Sequence, residues 1–335
     1  MKKSGNIRLI FIGIFVGFVC LLSMDLAMAK DPDYPTKPIT FIIPWPAGGG
    51  TDIVTRPLIE AAGKYLGQPI VPINKPGGAG MVGALAVMNS KPDGYTLGVG
   101  IGSSILIFPN TEECPYKDMS GFTLIMNYTK YIYPLVARTD APWKTWKEFI
   151  EWAKQNPKAT KLGITGGRSQ SPMGIVLWQV EKKENAEFVY VVLKGTGENL
   201  SATLGGHVTM SASALDPSAM SYVKEGKLRI LAYMSKEKIP GYENIPSFQE
   251  LYGFVPPNLM TVWGPKGLPD YVLKKLDEAF AYAVKDPDFI KVANRTLYPV
   301  VYMDRAELNK EVRQEFPKVG KIIETLRAEE TREKK

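Results

Sequence analysis

Short β-rich apolar runs alternate with helix-patterned stretches along almost the whole chain, which restricts it to α/β folds built on largely parallel sheets. The runs occupy residues 39–43, 70–73, 96–99, 123–127, 132–137, 162–165, 188–193, 208–212, 228–233, 260–263 and 298–302. Several are continuously apolar rather than alternating, which points to strands covered on both faces. Between them, Thr145-Trp146-Lys147-Glu148 reads as a capping box opening a helix with Trp146, Phe149, Ile150 and Ala153 on one face. Asp304-Arg305-Ala306-Glu307 opens the last helix similarly, with Leu308, Val312, Phe316, Val319 and Ile323 in one core-facing stripe. Pro57 interrupts the first helical pattern and is expected to shorten or kink it. No internal repeat is visible. Two stretches, 128–142 and the proline- and glycine-rich 248–269, suit passage between two lobes, and a cleft with two such connections can open and close as a hinge.

Lys2, Lys3 and Arg8 precede an apolar stretch at 9–22, and Ala27-Met28-Ala29 follows with the small-x-small pattern of a signal peptidase site. The stretch is short for a bilayer span, which needs roughly 20 residues. The expectation is a signal peptide at 1–29, cleaved after Ala29, and export; a retained N-terminal anchor is the alternative. Val19 precedes Cys20 where a lipid-attachment signal wants a small residue, which argues against lipidation. Cleavage lowers the formal charge from +7 to about +5. The remaining excess includes the charged tail 327–335, which reads as a frayed, solvated helix end. No basic stripe with interleaved aromatics occurs, so nucleic acid is not an expected partner.

Processing leaves Cys114 as the only cysteine, so no intrachain disulfide forms. His207, in the turn Leu204-Gly205-Gly206-His207, is the only histidine, and an exposed position is expected for it. A Ser-His-Asp triad, a Cys-His pair or a zinc site would each have to be built around that one residue. No catalytic residue, metal or cofactor is therefore expected.

Three glycine-rich loops follow strand runs. In the first, Pro44-Trp45-Pro46-Ala47-Gly48-Gly49-Gly50-Thr51-Asp52, glycines let the backbone approach a ligand, and the helix beyond presents unpaired N–H groups and partial positive charge. It reads either as an anion seat that needs no lysine or as a plain βα turn with Thr51 or Asp52 as N-cap. The second loop, 74–83, contains a literal G-x-G-x-x-G at Gly78, Gly80 and Gly83. It follows the second strand rather than the first, and the next strand ends in Gly100-Ile101-Gly102-Ser103 where a dinucleotide site wants an acidic residue, so the signal is weak. The third, Thr165-Gly166-Gly167-Arg168-Ser169-Gln170-Ser171, repeats the layout of the first. Two such loops, one per lobe, can face each other across a cleft at the carboxyl ends of the strands. Arg168 is placed either to pair bidentately with a carboxylate or as a surface arginine.

At these loops the chain resembles the substrate-binding receptors of tripartite tricarboxylate transporters, the Bug family. The resemblance runs from residue 34 to about 289. It is carried by Tyr34-Pro35-Thr36-Lys37-Pro38-Ile39, the Pro-x-x-Ala-Gly-Gly-Gly-Thr-Asp from Pro44 to Asp52, Arg56, Leu66-Gly67-Gln68-Pro69, Asn74-Lys75-Pro76-Gly77 and Pro92-Asp93-Gly94-Tyr95-Thr96. Later come Lys194-Gly195-Thr196-Gly197, Gly226-Lys227-Leu228-Arg229, Leu231-Ala232 and Ile245-Pro246-Ser247-Phe248-Gln249-Glu250. It implies an α/β, two-lobed type II periplasmic-binding-protein fold, with two doubly wound lobes, a cleft and two crossovers. The first lobe would comprise 30–132 and 253–335, the second 133–252. It further implies a periplasmic monomer that captures a small carboxylate, di- or tricarboxylate or aromatic, and delivers it to membrane permease subunits. The ligand contacts carried over are Trp45, Ala47, Gly48, Gly49, Thr51 and Asp52, with Gly167 and Ser169, and Arg168 is added from the reading of the third loop.

The chain departs from the family pattern in three places. Ser171-Pro172-Met173 stands where the family's second-lobe loop has a histidine after its serine, and the usual Val-Pro-Tyr-Lys-Gly is Val191-Val192-Leu193-Lys194-Gly195. Trp45 is also larger than the usual residue. The far end of the pocket is thus expected to differ, with Arg168 favouring a dicarboxylate. Two other readings share the fold class: a secreted α/β enzyme using Asp52 or Asp216 as acid or base, and a sensor subunit docking to a membrane receptor.

Overall fold

The computed structural model describes residues 32–111, 114–212, 217–239 and 241–333. The chain divides into two compact units, Met1–Tyr34 and Pro35–Lys335, and every element below belongs to the second. The expected signal peptide, Cys20 and Asp216 lie outside the described residues.

Each expected run forms a strand: β1 (Ile39–Ile43), β2 (Ile70–Asn74), β3 (Thr96–Ile101), β4 (Phe122–Lys130), β5 (Tyr133–Arg138), β6 (Lys161–Thr165), β7 (Val189–Leu193), β8 (Met210–Ala212), β9 (Leu228–Met234), β10 (Leu259–Pro265) and β11 (Val300–Met303). The helices are α1 (Gly50–Leu66), α2 (Met81–Met88), α3 (Trp146–Gln155), α4 (Pro172–Glu184), α5 (Thr196–Leu204), α6 (Pro217–Lys224), α7 (Phe248–Tyr252), α8 (Asp270–Ala283), α9 (Pro287–Thr296) and α10 (Arg305–Glu333).

The strands assemble into two sheets, ordered β11-β4-β10-β3-β1-β2 and β7-β6-β8-β5-β9. In the first, β1, β2 and β3 are parallel and β10 is inserted antiparallel between β3 and β4. In the second, β6, β7 and β8 are parallel and β5 is inserted antiparallel between β8 and β9. The orders β2-β1-β3-β10-β4 and β7-β6-β8-β5-β9 are therefore one topology used twice, although the sequence shows no repeat. β1 and β6 occupy equivalent places, and so do the glycine-rich loops that leave their carboxyl ends, the region where open α/β sheets bind ligands.

Alternation along β1 shows how the first sheet is covered on both sides. Phe41 meets Phe280 of α8, with ring centroids 6.5 Å apart, while the next residue, Ile42, packs with Ala84 and Val87 of α2. Pro57 does not shorten α1: the helix runs from Gly50 to Leu66, and Val54, Leu58, Ile59, Ala61 and Ala62 are buried along it. Packing of this face outweighs the one backbone hydrogen bond that proline removes.

Most of 128–142 is strand rather than linker, and between β4 and β5 only Tyr131 and Ile132 intervene. On the return, residues 253–258 lead from α7 to β10. The two passages lie side by side, since the Tyr131 N–H donates to the Asn258 carbonyl at 2.8 Å and Asn258 Nδ2 donates to the Met234 carbonyl at 2.9 Å. The buried Lys130 ammonium donates to Glu237 Oε1 at 2.8 Å, and Ser235 Oγ donates to the other oxygen, also at 2.8 Å. Burial pushes the Glu237 carboxyl up, but these donors outweigh it and hold it below the usual range.

The tail expected to fray is instead the docked end of α10. Trp178 Nε1 of α4 donates to Glu329 Oε2 at 2.7 Å, Lys182 pairs with the same carboxylate, and Arg168 Nη2 donates to Glu333 Oε2 at 2.7 Å. Ile175 and Trp178 also join an apolar cluster with Ile105, Leu106, Ile107, Phe108, Ile323 and Leu326. Read in isolation the tail is a solvated charge run. Its partners come from α4 and the loop before it, some 150 residues earlier.

Candidate ligand-binding site

The first glycine loop turns at Gly48, whose φ of +79° lies in the left-handed region that favours glycine. Gly49 then caps α1 with extended backbone and, among the described residues, without a side-chain hydrogen bond. Neither Thr51 nor Asp52 is the N-cap, because the helix begins at Gly50 and both lie in its buried first turn. Among the described residues the first-turn amides of α1 thus have no side-chain acceptor, as is also the case at α2, α5 and α8. Ala47, Gly48 and Gly49 are exposed beside them.

Asp52 braces this loop from below. It accepts the Gly48 N–H at 2.9 Å, Asn74 Nδ2 at 2.9 Å and Arg56 Nε at 2.9 Å, and Arg56 Nη2 lies 2.9 Å from its second oxygen. Asn74 Nδ2 also donates to the Trp45 carbonyl at 2.9 Å, so the end of β2 is tied to both arms of the loop. Burial pushes the Asp52 carboxyl up, but the bonds from Arg56, Gly48 and Asn74 outweigh it and leave it below the usual carboxylate range. Such a group is ionised, with its oxygens occupied. It is poorly suited to acid or base chemistry near neutrality, and well suited to fixing a loop. Thr51 is engaged as well, its hydroxyl hydrogen-bonded to that of Tyr131.

The second glycine loop serves the first. A Cβ on Gly80 would lie 3.0 Å from the rim of the Trp45 indole, and one on Gly83 would lie 2.6 Å from Pro44 Cβ. The literal G-x-G-x-x-G therefore reflects close packing of α2 under Pro44 and Trp45, which accounts for the motif without a dinucleotide. Trp45 is half-buried by this contact, and its Nε1 has no acceptor among the described residues.

At the equivalent place in the second lobe, Gly166 turns with φ +84°, Gly167 is half-buried and Ser169 is buried. This helix caps itself: Ser171 Oγ accepts the Gly174 N–H at 3.0 Å. The two loops thus share position but differ in chemistry, with open amides on α1 and closed ones on α4. The Arg168 guanidinium is held by Glu333 and Glu330 and lies 5.7 Å from the Tyr190 ring centre, so the charge expected to meet a ligand already has two carboxylate partners. His207 is exposed in its turn, as expected.

Arg56, Asn74 and Tyr131 belong to the first loop's support and were not singled out for it from the sequence. The spacing of Asp52 and Arg56, four apart on a helix, was a readable signal. The contributions of Asn74 and Tyr131 depend on tertiary placement.

A family model described as the tripartite tricarboxylate transporter family receptor matches residues 54–327. A Cupriavidus necator protein, named for its place in the gbd 5' region, is 31% identical over 301 residues, 90% of each chain. A solved structure described as a periplasmic transporter superposes with a TM-score of 0.77 at 29% identity, covering 87% of this chain and 97% of that one. Two Rhodopseudomonas palustris structures share the fold. MatC with bound malate has a TM-score of 0.73 at 23% identity, covering 87% and 100% of the two chains. Rpa4515 with adipate has 0.76 at 22%, covering 87% and 98%.

Proposed function

Because this chain belongs to the tripartite tricarboxylate transporter receptor family, we propose that it captures a small dicarboxylate on the N-terminus of α1 and delivers it to the permease subunits of such a transporter. The observation that carries this reading is the open start of α1, a helix with a glycine cap, no side-chain acceptor and a loop already braced by Asp52. A hydrogen bond to a charged carboxylate contributes roughly 1.5–3 kcal/mol net. Three such bonds supply roughly 4.5–9 kcal/mol, less than micromolar binding of about −8 kcal/mol needs once the cost of association is subtracted, so contacts to the rest of the ligand must supply the remainder.

Support for a dicarboxylate comes from two structures of the same fold, one with malate and one with adipate. Trp45, Ala47, Gly48, Gly49 and the main chain of Thr51 would surround one carboxylate, with Gly167 and Ser169 approaching from the second lobe. Asp52 acts as the brace rather than as a contact. The ionised, fully engaged state of Asp52 and the exposure of His207 favour binding over catalysis.

A thermal-shift panel on protein beginning at Lys30 tests the reading, with malate, adipate, a tricarboxylate, an aromatic acid and the monoacid analogues. A ligand at about 100 times its Kd stabilises the fold by about 2.7 kcal/mol, a rise of several degrees. A dicarboxylate series that raises Tm while its monoacids do not is the expected result. A flat panel on folded, ligand-free protein would overturn it.

A further inference from the structure

Tyr131 lies between the two sheets, in the first crossover, yet its hydroxyl is bonded to Thr51 in the first turn of α1. Its amide holds the second crossover through the Asn258 carbonyl at 2.8 Å. The ring stacks on Tyr133 of β5, centroids 5.7 Å apart, and meets Tyr298 edge-on at 5.3 Å. Tyr298 in turn closes on the helix start, since a Cβ on Gly50 would run into its hydroxyl. One residue therefore touches the open helix end, both crossovers and a strand of the second lobe.

The two hydroxyls belong to buried residues. A buried hydroxyl without a partner is costly, so Thr51 and Tyr131 satisfy one another only while α1 and the crossover keep this spacing. Tyr131 and Ile132 are all that separates β4 from β5, so a turn of one sheet against the other at this point would change that spacing. An anion on the first-turn amides of α1 loads the same turn that carries Thr51.

We propose that Tyr131 is a positioning residue whose bond to Thr51 couples occupancy of the α1 N-terminus to the angle between the lobes. The coupling rests on that terminus being the carboxylate seat. A ligand that fixes the first turn makes the Thr51 bond harder to break and so favours one lobe angle; by linkage, that angle favours the ligand equally. The aromatic contacts alone do not supply this, because phenylalanine would retain every one of them.

The test compares Tyr131→Phe, Thr51→Val, their combination and Thr51→Ser. Spin labels on exposed Lys64 of α1 and Lys147 of α3 report interlobe distances without ligand. Stopped-flow binding of adipate gives association and dissociation rates. Tyr131→Phe and Thr51→Val should each broaden the distance distribution and speed adipate dissociation about tenfold, with association little changed. The double variant should be no worse than either single one, and Thr51→Ser, which keeps the hydroxyl, should keep the narrow ligand-free distance distribution that Thr51→Val loses. Unchanged distances, or losses that add in the double variant, overturn the coupling. If the wild type binds no member of the carboxylate panel, the seat assignment fails separately, and the ligand-free distances still decide whether these hydroxyls restrain the lobes.

Discussion

Trp178 Nε1 donates to Glu329 Oε2 at 2.7 Å, fastening the last turns of α10 to the helix that follows the second lobe's glycine loop. Trp178 is buried, so Glu329→Ala leaves its N–H without an acceptor, at a cost of about 1–3 kcal/mol. A lower urea midpoint is expected, with carboxylate affinity changed little. An unchanged midpoint would mean that the docked end of α10 adds nothing to stability.

Arg168 gives a related prediction. Its guanidinium is held by Glu333 and Glu330, so Arg168→Ala should lower Tm and weaken a dicarboxylate and its monoacid by the same factor. A loss confined to the dicarboxylate, measured by calorimetry on matched pairs, would show that the arginine leaves α10 to meet the ligand.

Asp52 makes a pH prediction with a definite sign. Its folded pKa lies below the ordinary 3.8, so its stabilisation is present above that value and is lost as pH falls through the lower, folded one. Asp52→Asn should therefore be less stable than wild type by an amount that is flat above about pH 5 and shrinks below pH 3.8. Denaturant titrations of both proteins across acid pH would show it. A difference that grows on acidification would mean the carboxylate is not held ionised.

The strands were legible because burial on both faces leaves continuous β-rich runs, and all eleven runs read from the sequence form strands. Their ends were less so. β4 continues through Thr129 and Lys130, residues with no apolar signal, because the strand has partners on both sides, Met260 and Leu259 of β10 and Val300 of β11. At the candidate site, the glycines of 48–50 announced a close backbone approach. Nothing local announced that Asn74 would reach the Trp45 carbonyl or that Tyr131 would reach Thr51, since both depend on which elements the fold makes neighbours. The tail was misread for the same reason, as solvated charge until Trp178, Lys182 and Arg168 are placed beside it. Arg168, read as a ligand contact or a surface arginine, has Glu330 and Glu333 as neighbours that nothing local announced.

Gly49 offers a sharper test of the open helix end. Its φ of −74° and ψ of 165° suit any residue, a Cβ there would press the Pro46 carbonyl at 3.3 Å, and Gly49→Ser would supply the cap that α1 lacks. The variant should change stability by no more than a few tenths of a kcal/mol, the cap offsetting the Pro46 contact, while binding carboxylates roughly tenfold more weakly, because its hydroxyl competes for the same amides. Thermal melts with and without adipate separate the two effects. Undiminished binding would place the ligand elsewhere.

The insertion of β10 between β3 and β4 has a consequence for how the chain is made. Both neighbours of that gap belong to the first 130 residues, but the strand that fills it spans Leu259–Pro265. A polypeptide emerging from its N-terminus cannot fill that gap until nearly four-fifths of it has appeared, and the sheet's edge strand β11 follows later still, at Val300–Met303. The second sheet, by contrast, draws all five strands from the continuous stretch between Tyr133 and Met234. During synthesis the later lobe is therefore the first that can close, while the earlier one waits with two strand edges unpaired.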